Sequence, residues 1–352
     1  MTKLVPEKTG KPTVNDVARV AGVSLATVDR VLNARPGVRS VTIERVNKAI
    51  RDLSYVRDTA AANLARRRIY NLLFVLPATQ NEFVAALEAQ IAAQSENLQT
   101  DRTRLSIVKV PAFDPQELVR IVESIDPAKI DGIAVFGPET PSVRDALHHV
   151  KEKGIAVVSL VSDLPSSSRD HFVGIDNVSA GKTAAQLMGR FVPGNHGKIL
   201  VITGSRLARD HLERRHGFDE VMASEFPEFK ILPSLEGRDD ADLLLKLLPP
   251  LFAKHPDIRG IYSSAAGNDG LIQFLRENAL DQEIVVVGHE LTPLSRAALE
   301  TGIFDVIISQ DTGHLVRSAV RLLRATADDA PFNPAQERIR IDIYLKENMP
   351  PE

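Results

Sequence analysis

The chain has 352 residues, 43% of them hydrophobic, with 43 Lys/Arg against 46 Asp/Glu and a formal net charge of −3. That length predicts two or three domains with real cores, and the absence of cysteine excludes disulfides and thiolate metal sites. The first thirty residues hold no signal-peptide apolar core and no run reaches ~18 apolar residues, so a soluble cytoplasmic protein is expected. The near-neutral total conceals an asymmetry: residues 1–68 hold 14 basic and 6 acidic side chains, the remainder 29 and 40. A basic head on an acidic body follows, with the head alone suited to a polyanion.

Residues 1–12 are polar, contain two prolines and are expected to be a disordered tail. In Thr13–Asn33, TVNDVARVAGVSLATVDRVLN, Val14, Val17, Ala18 and Ala21 fall at i, i+3, i+4 and i+7, one apolar stripe of a helix at about 13–20. Gly22 permits a sharp turn, Ser24 is a good N-cap, and Val28, Val31 and Leu32 form the stripe of a second helix at about 25–32. Two short helices on a tight glycine turn make a helix-turn-helix, whose second helix lies in the DNA major groove. A helical hairpin without a DNA role is the competing reading; the N-terminal position and basic surround weigh against it. After a loop at 33–37, Ser40 is expected to cap a third helix with Ile43, Val46, Ala49, Ile50 and Leu53 inward. Residues 57–68, RDTAAANLARRR, are helix-permissive but carry one large apolar side chain, Leu64, so this helix would be marginal alone.

From Tyr70 apolar runs of strand length alternate with helical stretches. Strands are expected at 72–76, 105–110, 130–136 and 155–160, with helices at 82–98, 115–125 and 141–153. After a break near 174–177 a second series follows: helices at 178–191, 210–225, 239–254 and 267–278, with strands at 199–203, 230–235, 260–263 and 284–288. Unbroken apolar strands alternating with helices predict parallel sheets covered on both faces, here in two lobes. Open α/β sheets bind ligands at the carboxyl ends of their strands.

Thr13–Asn33, Val41–Tyr55 and the ANLARRR run resemble the DNA-binding head of the LacI/GalR (lactose-repressor) family, and the body resembles its periplasmic-binding-protein-like effector domain, over about residues 13–345. The fold this implies is α/β: a three-helix helix-turn-helix head at 13–57, a hinge helix at 58–68, and a two-lobed type I periplasmic-binding-protein body with parallel sheets at 69–352. Lobe 1 would take about 69–173 and 311–336, lobe 2 about 174–310 and 337–352. The resemblance further implies a homodimer on a near-palindromic operator, with a small molecule in the cleft altering DNA affinity. The chain ends at Pro350-Pro351-Glu352 without a leucine heptad, so a dimer rather than a tail-assembled tetramer is expected.

By the same resemblance Leu25, Ala26 and Arg30 are base-reading positions. Arg30 suits a bidentate bond to guanine, and Leu25 and Ala26 suit thymine methyls. Thr13, Ser24, Thr27, Asn33 and Thr42 suit phosphates, with capping as the alternative. Asp29 stands where the family usually has a small hydroxyl. It either accepts a cytosine amino proton or pairs with a neighbouring Arg, and an altered DNA preference is expected. Leu64 matches the hinge leucine that wedges into the minor groove, with Arg66, Arg67 and Arg68 beside phosphates; an interdomain linker is the alternative.

Candidate ligand residues follow strand ends. Asn81 and Phe83, in ATQNEF, resemble the entry loop of sugar-binding relatives, where Phe stacks on a ring face. Ser162 and Asp163 follow the fourth strand. Arg214, in R-x-x-G-F, matches the family's ligand-binding arginine, with Arg215 as the competing neighbour. Asn268 and Asp269 match the family's Asn-Asp, Glu290 takes the place of an expected Asp, and Gln310 sits where the chain should recross between lobes. Amides, a guanidinium, carboxylates and a ring suit a neutral polyhydroxylated ligand, a sugar or derivative, or an opine-like sugar–amino-acid conjugate.

Enzyme signatures are missing. Gly181-Lys182-Thr183 resembles the end of a phosphate loop, but Asp176 stands where its first glycine should be. His148-His149 and the pair His211 and His216 lack zinc spacing, and Asp239-Asp240 read as helix capping. No catalytic residue, cofactor or metal is expected. The chain therefore reads as a ligand-responsive regulator, a repressor of carbohydrate uptake or catabolism genes. A transport receptor and an enzyme on a doubly wound fold are the rivals.

Overall fold

The computed structural model describes residues 12–32, 36–55, 68–79, 81–98, 101–164, 168–205 and 207–351, with the backbone alone at Asn195. Two compact units separate, Met1–Arg68 and Ile69–Glu352. Among the described residues no helix is long and apolar enough to cross a membrane.

In the head, α1 (Val14–Ala21), α2 (Leu25–Leu32) and α3 (Ser40–Asp52) enclose Val17, Ala18, Ala21, Val28, Val46, Ala49 and Tyr55. A capping box starts α1: Thr13 Oγ1 accepts the Asp16 N–H, and the Asp16 carboxylate accepts the Thr13 N–H at 3.0 Å. Gly22 ends the helix at φ +63°, a left-handed conformation that glycine adopts without steric cost. Ser24 Oγ accepts the Thr27 N–H at 3.2 Å and so caps α2.

Two expectations need correction. Ser40 is the first residue of α3, not its cap; Arg39 holds the cap position without a side-chain bond. Ile43 is 37% exposed, because burial along α3 begins a turn later, at Val46. Residues 1–11 of the expected tail, Asn33, Leu64, Arg66 and Arg67, and nearly all of the expected hinge helix lie outside the described residues.

The body carries two sheets. The first holds β1 (Tyr70–Ala78), β2 (Thr103–Pro111), β3 (Gly132–Val135), β4 (Ala156–Leu160) and β5 (His171–Val173), all parallel, in the order β2-β1-β3-β4-β5. The second holds β6 (Gly197–Thr203), β7 (Phe229–Ile231), β8 (Leu235–Glu236), β9 (Ile258–Ser263), β10 (Val285–His289), β11 (Val306–Ser309) and β12 (Asp342–Tyr344). Its order is β12-β11-β10-β9-β6-β7, with β8 beside β6 and only β12 antiparallel. The single strand expected at 230–235 is split in two around Pro233, which has no N–H for the ladder. β5 lies just before the expected break.

Alternation divides each strand between two cores. Leu72, Phe74 and Leu76 face helices Glu82–Asn97 and Thr312–Ala327, while Leu73 and Val75 face helices Pro115–Glu123 and Pro141–Glu152. In the second sheet Ile199 and Val201 share a core with helices Asn177–Phe191 and Arg209–Glu225, and Leu200 and Ile202 with helices Ala241–Lys254 and Asn268–Glu277.

The chain passes between sheets three times: after β5, after β11 into the helix Thr312–Ala327 that packs on the first sheet, and back to β12. Helices Asn177–Phe191 and Arg209–Glu225 meet backbone to backbone. A Cβ at Gly181 would lie 1.9 Å from the Arg214 carbonyl oxygen, and one at Gly217 would lie 2.0 Å from that of Val178. These glycines therefore serve helix packing, and they set the depth at which Arg214 enters the lobe.

Candidate functional site

Strand ends of both lobes surround a cavity of about 620 Å³, within the usual range for small-molecule sites. Asn81 caps the helix Glu82–Asn97, its Oδ1 accepting the Phe83 N–H at 2.8 Å, and its amide lies near enough to Asp239 of the opposite lobe to pull that carboxyl's pKa down. Phe83 is buried and contributes apolar wall. Ser162 Oγ accepts the Asp210 N–H at 3.3 Å, and Glu82 accepts the Leu294 N–H at 3.2 Å, so further bonds join the lobes around the cavity.

Arg214 is the arginine in the cavity. Its Nε donates to Asn177 Oδ1 and its Nη1 to the Ser264 carbonyl, both at 2.9 Å, and its Nη2 lies 3.6 Å from Glu290. Arg215 points elsewhere, donating to Asp219 and to Ser234 Oγ. Asn268 is buried, its Oδ1 accepting from Ser263 Oγ at 2.8 Å, and Asp269 opens its helix at the exposed rim.

Glu290 follows β10 at φ +65°, a left-handed conformation unusual for a side chain of this size. Its carboxylate accepts from Gln310 Nε2 at 2.9 Å. Burial raises its pKa against the pull of Arg214 and Gln310.

Two of the expected positions do not reach the cavity. Asp163 is turned away, its carboxylate taking Arg169 Nη2 at 2.9 Å, Ser159 Oγ and its own Leu164 N–H. A local salt bridge and turn satisfy it more fully than the cleft would. Gln310 stands behind the wall and orients Glu290.

Wall residues outside the expected set include Glu82, Asp210, His211, Arg238, Asp239 and His289. Asp210 and His211 precede Arg214 by one helical turn, a spacing that puts all three on one face. Asp240 caps the helix Ala241–Lys254 as expected, accepting the Leu243 N–H, but Asp239 does not. At φ +57° it turns into the cavity and accepts the Ala266 N–H at 3.2 Å. Burial raises its carboxyl, against the pull of His211. His289 Nε2 shares a 2.9 Å hydrogen bond with the Tyr262 hydroxyl, and burial holds its imidazole well below the usual value. Among the described residues Asp210 Oδ1 and His289 Nδ1 are buried without a hydrogen-bond partner.

On the head, Leu25 (49% exposed), Ala26, Asp29 and Arg30 share one face of α2, with Ala26 and Arg30 also exposed and Asp29 half-buried. Thr13 and Ser24 form caps, Ser24 Oγ and Thr27 Oγ1 are bonded to each other at 2.9 Å, and Thr42 is half-buried in α3. Arg45 gives no motif signal, yet it secures the turn: its Nη2 donates to the carbonyls of Ala21 at 2.8 Å and Gly22 at 3.0 Å.

Two α/β lobes around a polar cleft are the architecture of the periplasmic-binding-protein class, and the sequence profile of the periplasmic binding protein domain matches residues 72–330. The profile of bacterial regulatory proteins of the lacI family matches residues 13–58. The chain belongs to the family of the periplasmic binding protein domain, with a head of the lacI helix-turn-helix type ahead of that domain.

Among its relatives are the HTH-type transcriptional regulator DegA of Bacillus subtilis, 27% identical over 60% of this chain and 61% of that one, and GntR of Pseudomonas aeruginosa, 26% identical over 81% of each. Catabolite control protein A of Staphylococcus aureus is 25% identical over 60% of this chain and 61% of that one. The chain thus spans about three-fifths of the length of two of these relatives. Two solved structures share the body fold. GanP of Geobacillus stearothermophilus, a glucose-galactose binding protein, aligns with a TM-score of 0.72 at 20% identity, covering 80% of this chain and 99% of that one. A solute binding protein from Burkholderia graminis in complex with D-arabinose aligns at 0.72 and 23%, covering 80% and 96%.

Proposed function

We propose that the protein is a sequence-specific DNA-binding transcriptional regulator, acting as a repressor, whose operator affinity responds to a small sugar or sugar-like ligand held between the lobes. The observation that carries this reading is the union in one chain of a helix-turn-helix head and a polar cavity of about 620 Å³ in a two-lobed body. Amides, carboxylates and a guanidinium recognise hydroxyls in complementary geometry, and Phe83 offers an apolar face. Binding as a homodimer to a near-palindromic operator, in the cytoplasm, completes the proposal, with Arg30 reading a base edge and Asp29 shifting the preferred sequence. Ligand-dependent lobe closure would be transmitted through residues 58–68 to the two heads.

The test is a mobility-shift assay of the full chain on the DNA upstream of its own gene, with and without sugars. A sequence-specific shift altered by a sugar is expected. Arg30→Ala should lose about 1–3 kcal/mol of base discrimination, and Asp29→Ser should change operator preference. Binding indifferent to DNA sequence would overturn the proposal.

A further inference from the structure

Among the described residues that line the cleft, acidic side chains outnumber the basic ones, Arg214 and Arg238. Asp210, Asp239 and Glu290 line it. Arg214 lies beside Glu290 and spends two other donors on Asn177 and Ser264. Among the described residues neither Asp210 nor Asp239 has an Arg or Lys in salt-bridge range.

Two histidines stand in the same wall. His211 Nδ1 accepts the Ser205 N–H at 3.4 Å, and its Nε2 lies 3.6 Å from Asp210 Oδ2. His289 is held neutral by burial, with Arg214 and His211 adding to the effect. The His211 ring and the Asp239 carboxylate flank the same glycine, Gly204, so the two carboxylates share one corner of the cavity. In that corner Asp210 is 3% exposed, and its Oδ1 has no hydrogen-bond partner among the described residues. A buried acceptor left in this state costs free energy that a donor from a ligand would offset, and a charged donor offsets it best.

We propose that the cleft takes a polyhydroxylated ligand bearing a protonated amine, an amino sugar or aminopolyol, whose ammonium is received by Asp239 and Asp210 while Arg214, Asn268 and Glu290 hold its hydroxyls. This rests on the reading of the cleft as a small-ligand site and names the ligand's charge.

The test is calorimetric titration of the full chain with matched pairs: D-glucosamine and D-glucose, D-galactosamine and D-galactose, 1-amino-1-deoxy-D-glucitol and D-glucitol. The N-acetylated amino sugars serve as uncharged controls. At least one amine is expected to bind about tenfold or more tightly than both its hydroxyl and its N-acetyl counterpart, because hydrogen bonds between charged groups outweigh neutral ones. Asp239→Asn and Asp210→Asn, shown by circular dichroism to fold, should each shrink that ratio towards unity. Neutral members binding as tightly as the amines, or a preference that survives both substitutions, would overturn the inference and leave the cleft a sugar site. If no member of any pair binds at millimolar concentration, the inference falls and so does the polyol reading of the cleft. The operator assay judges the regulator reading separately.

Discussion

Arg214 and Glu290 carry opposite charges into the same buried space, 3.6 Å apart. Removing one member of such a pair leaves the other charge unbalanced. Arg214→Met is therefore expected to destabilise the protein by roughly 3–5 kcal/mol, read from urea unfolding, and to abolish ligand binding. An undiminished midpoint would mean that Asn177 and Gln310 suffice without the guanidinium.

The raised carboxyls of Asp239 and Glu290 make a second expectation, about pH. Above the ordinary carboxylate value of ~4 the unfolded chain has released protons that these two groups still hold in the folded protein. Stability from this source is full below that value and is lost as pH rises through the raised values. His289, kept neutral, works in the opposite direction below its usual value, where the unfolded chain takes up a proton. Thermal unfolding of ligand-free Asp239→Asn and Glu290→Gln across that range should show a shallower decline with rising pH than the parent. Parallel curves would locate the decline in other groups.

At the scale of elements, the R-x-x-G-F run combines two functions. Arg214 supplies the cleft, and Gly217 lets the backbones of two helices touch. Gly217→Ala would drive a methyl to 2.0 Å from the Val178 carbonyl oxygen. The helices must separate, at a cost of about 1–3 kcal/mol typical of overpacking, and Arg214 shifts with them. Denaturation midpoints and ligand affinity should fall together; unchanged affinity alongside lowered stability would separate packing from the site. The Asp239-Asp240 pair makes a similar point. Adjacent identical residues take different partners, Asp240 capping a helix and Asp239, with its left-handed backbone, holding the Ala266 N–H across the cavity wall.

For the whole molecule, coupling between ligand and operator must be reciprocal if one equilibrium serves both. A ligand that weakens operator binding by some factor is itself weakened by operator by that same factor. Titrating ligand into the protein with and without saturating operator checks this, and equal affinities in the two titrations would refute the coupling.

The sequence by itself determined the alternation of strands and helices, the charge split after Arg68 and the helix-turn-helix, because these rest on local periodicity and on the special backbone of Gly22. It also brought most of the cleft residues into view, since strand ends in a parallel sheet are near neighbours whatever the details. Only the tertiary structure separated Arg214 from Arg215, sent Asp163 to Arg169, and set Gln310 behind Glu290. It alone assembled Asp210, His211, Asp239 and His289 into one wall. Burial and partner are properties of residues far apart in the chain, and periodicity carries no information about which of two adjacent charges finds an ion-pair partner and which is left facing the cavity.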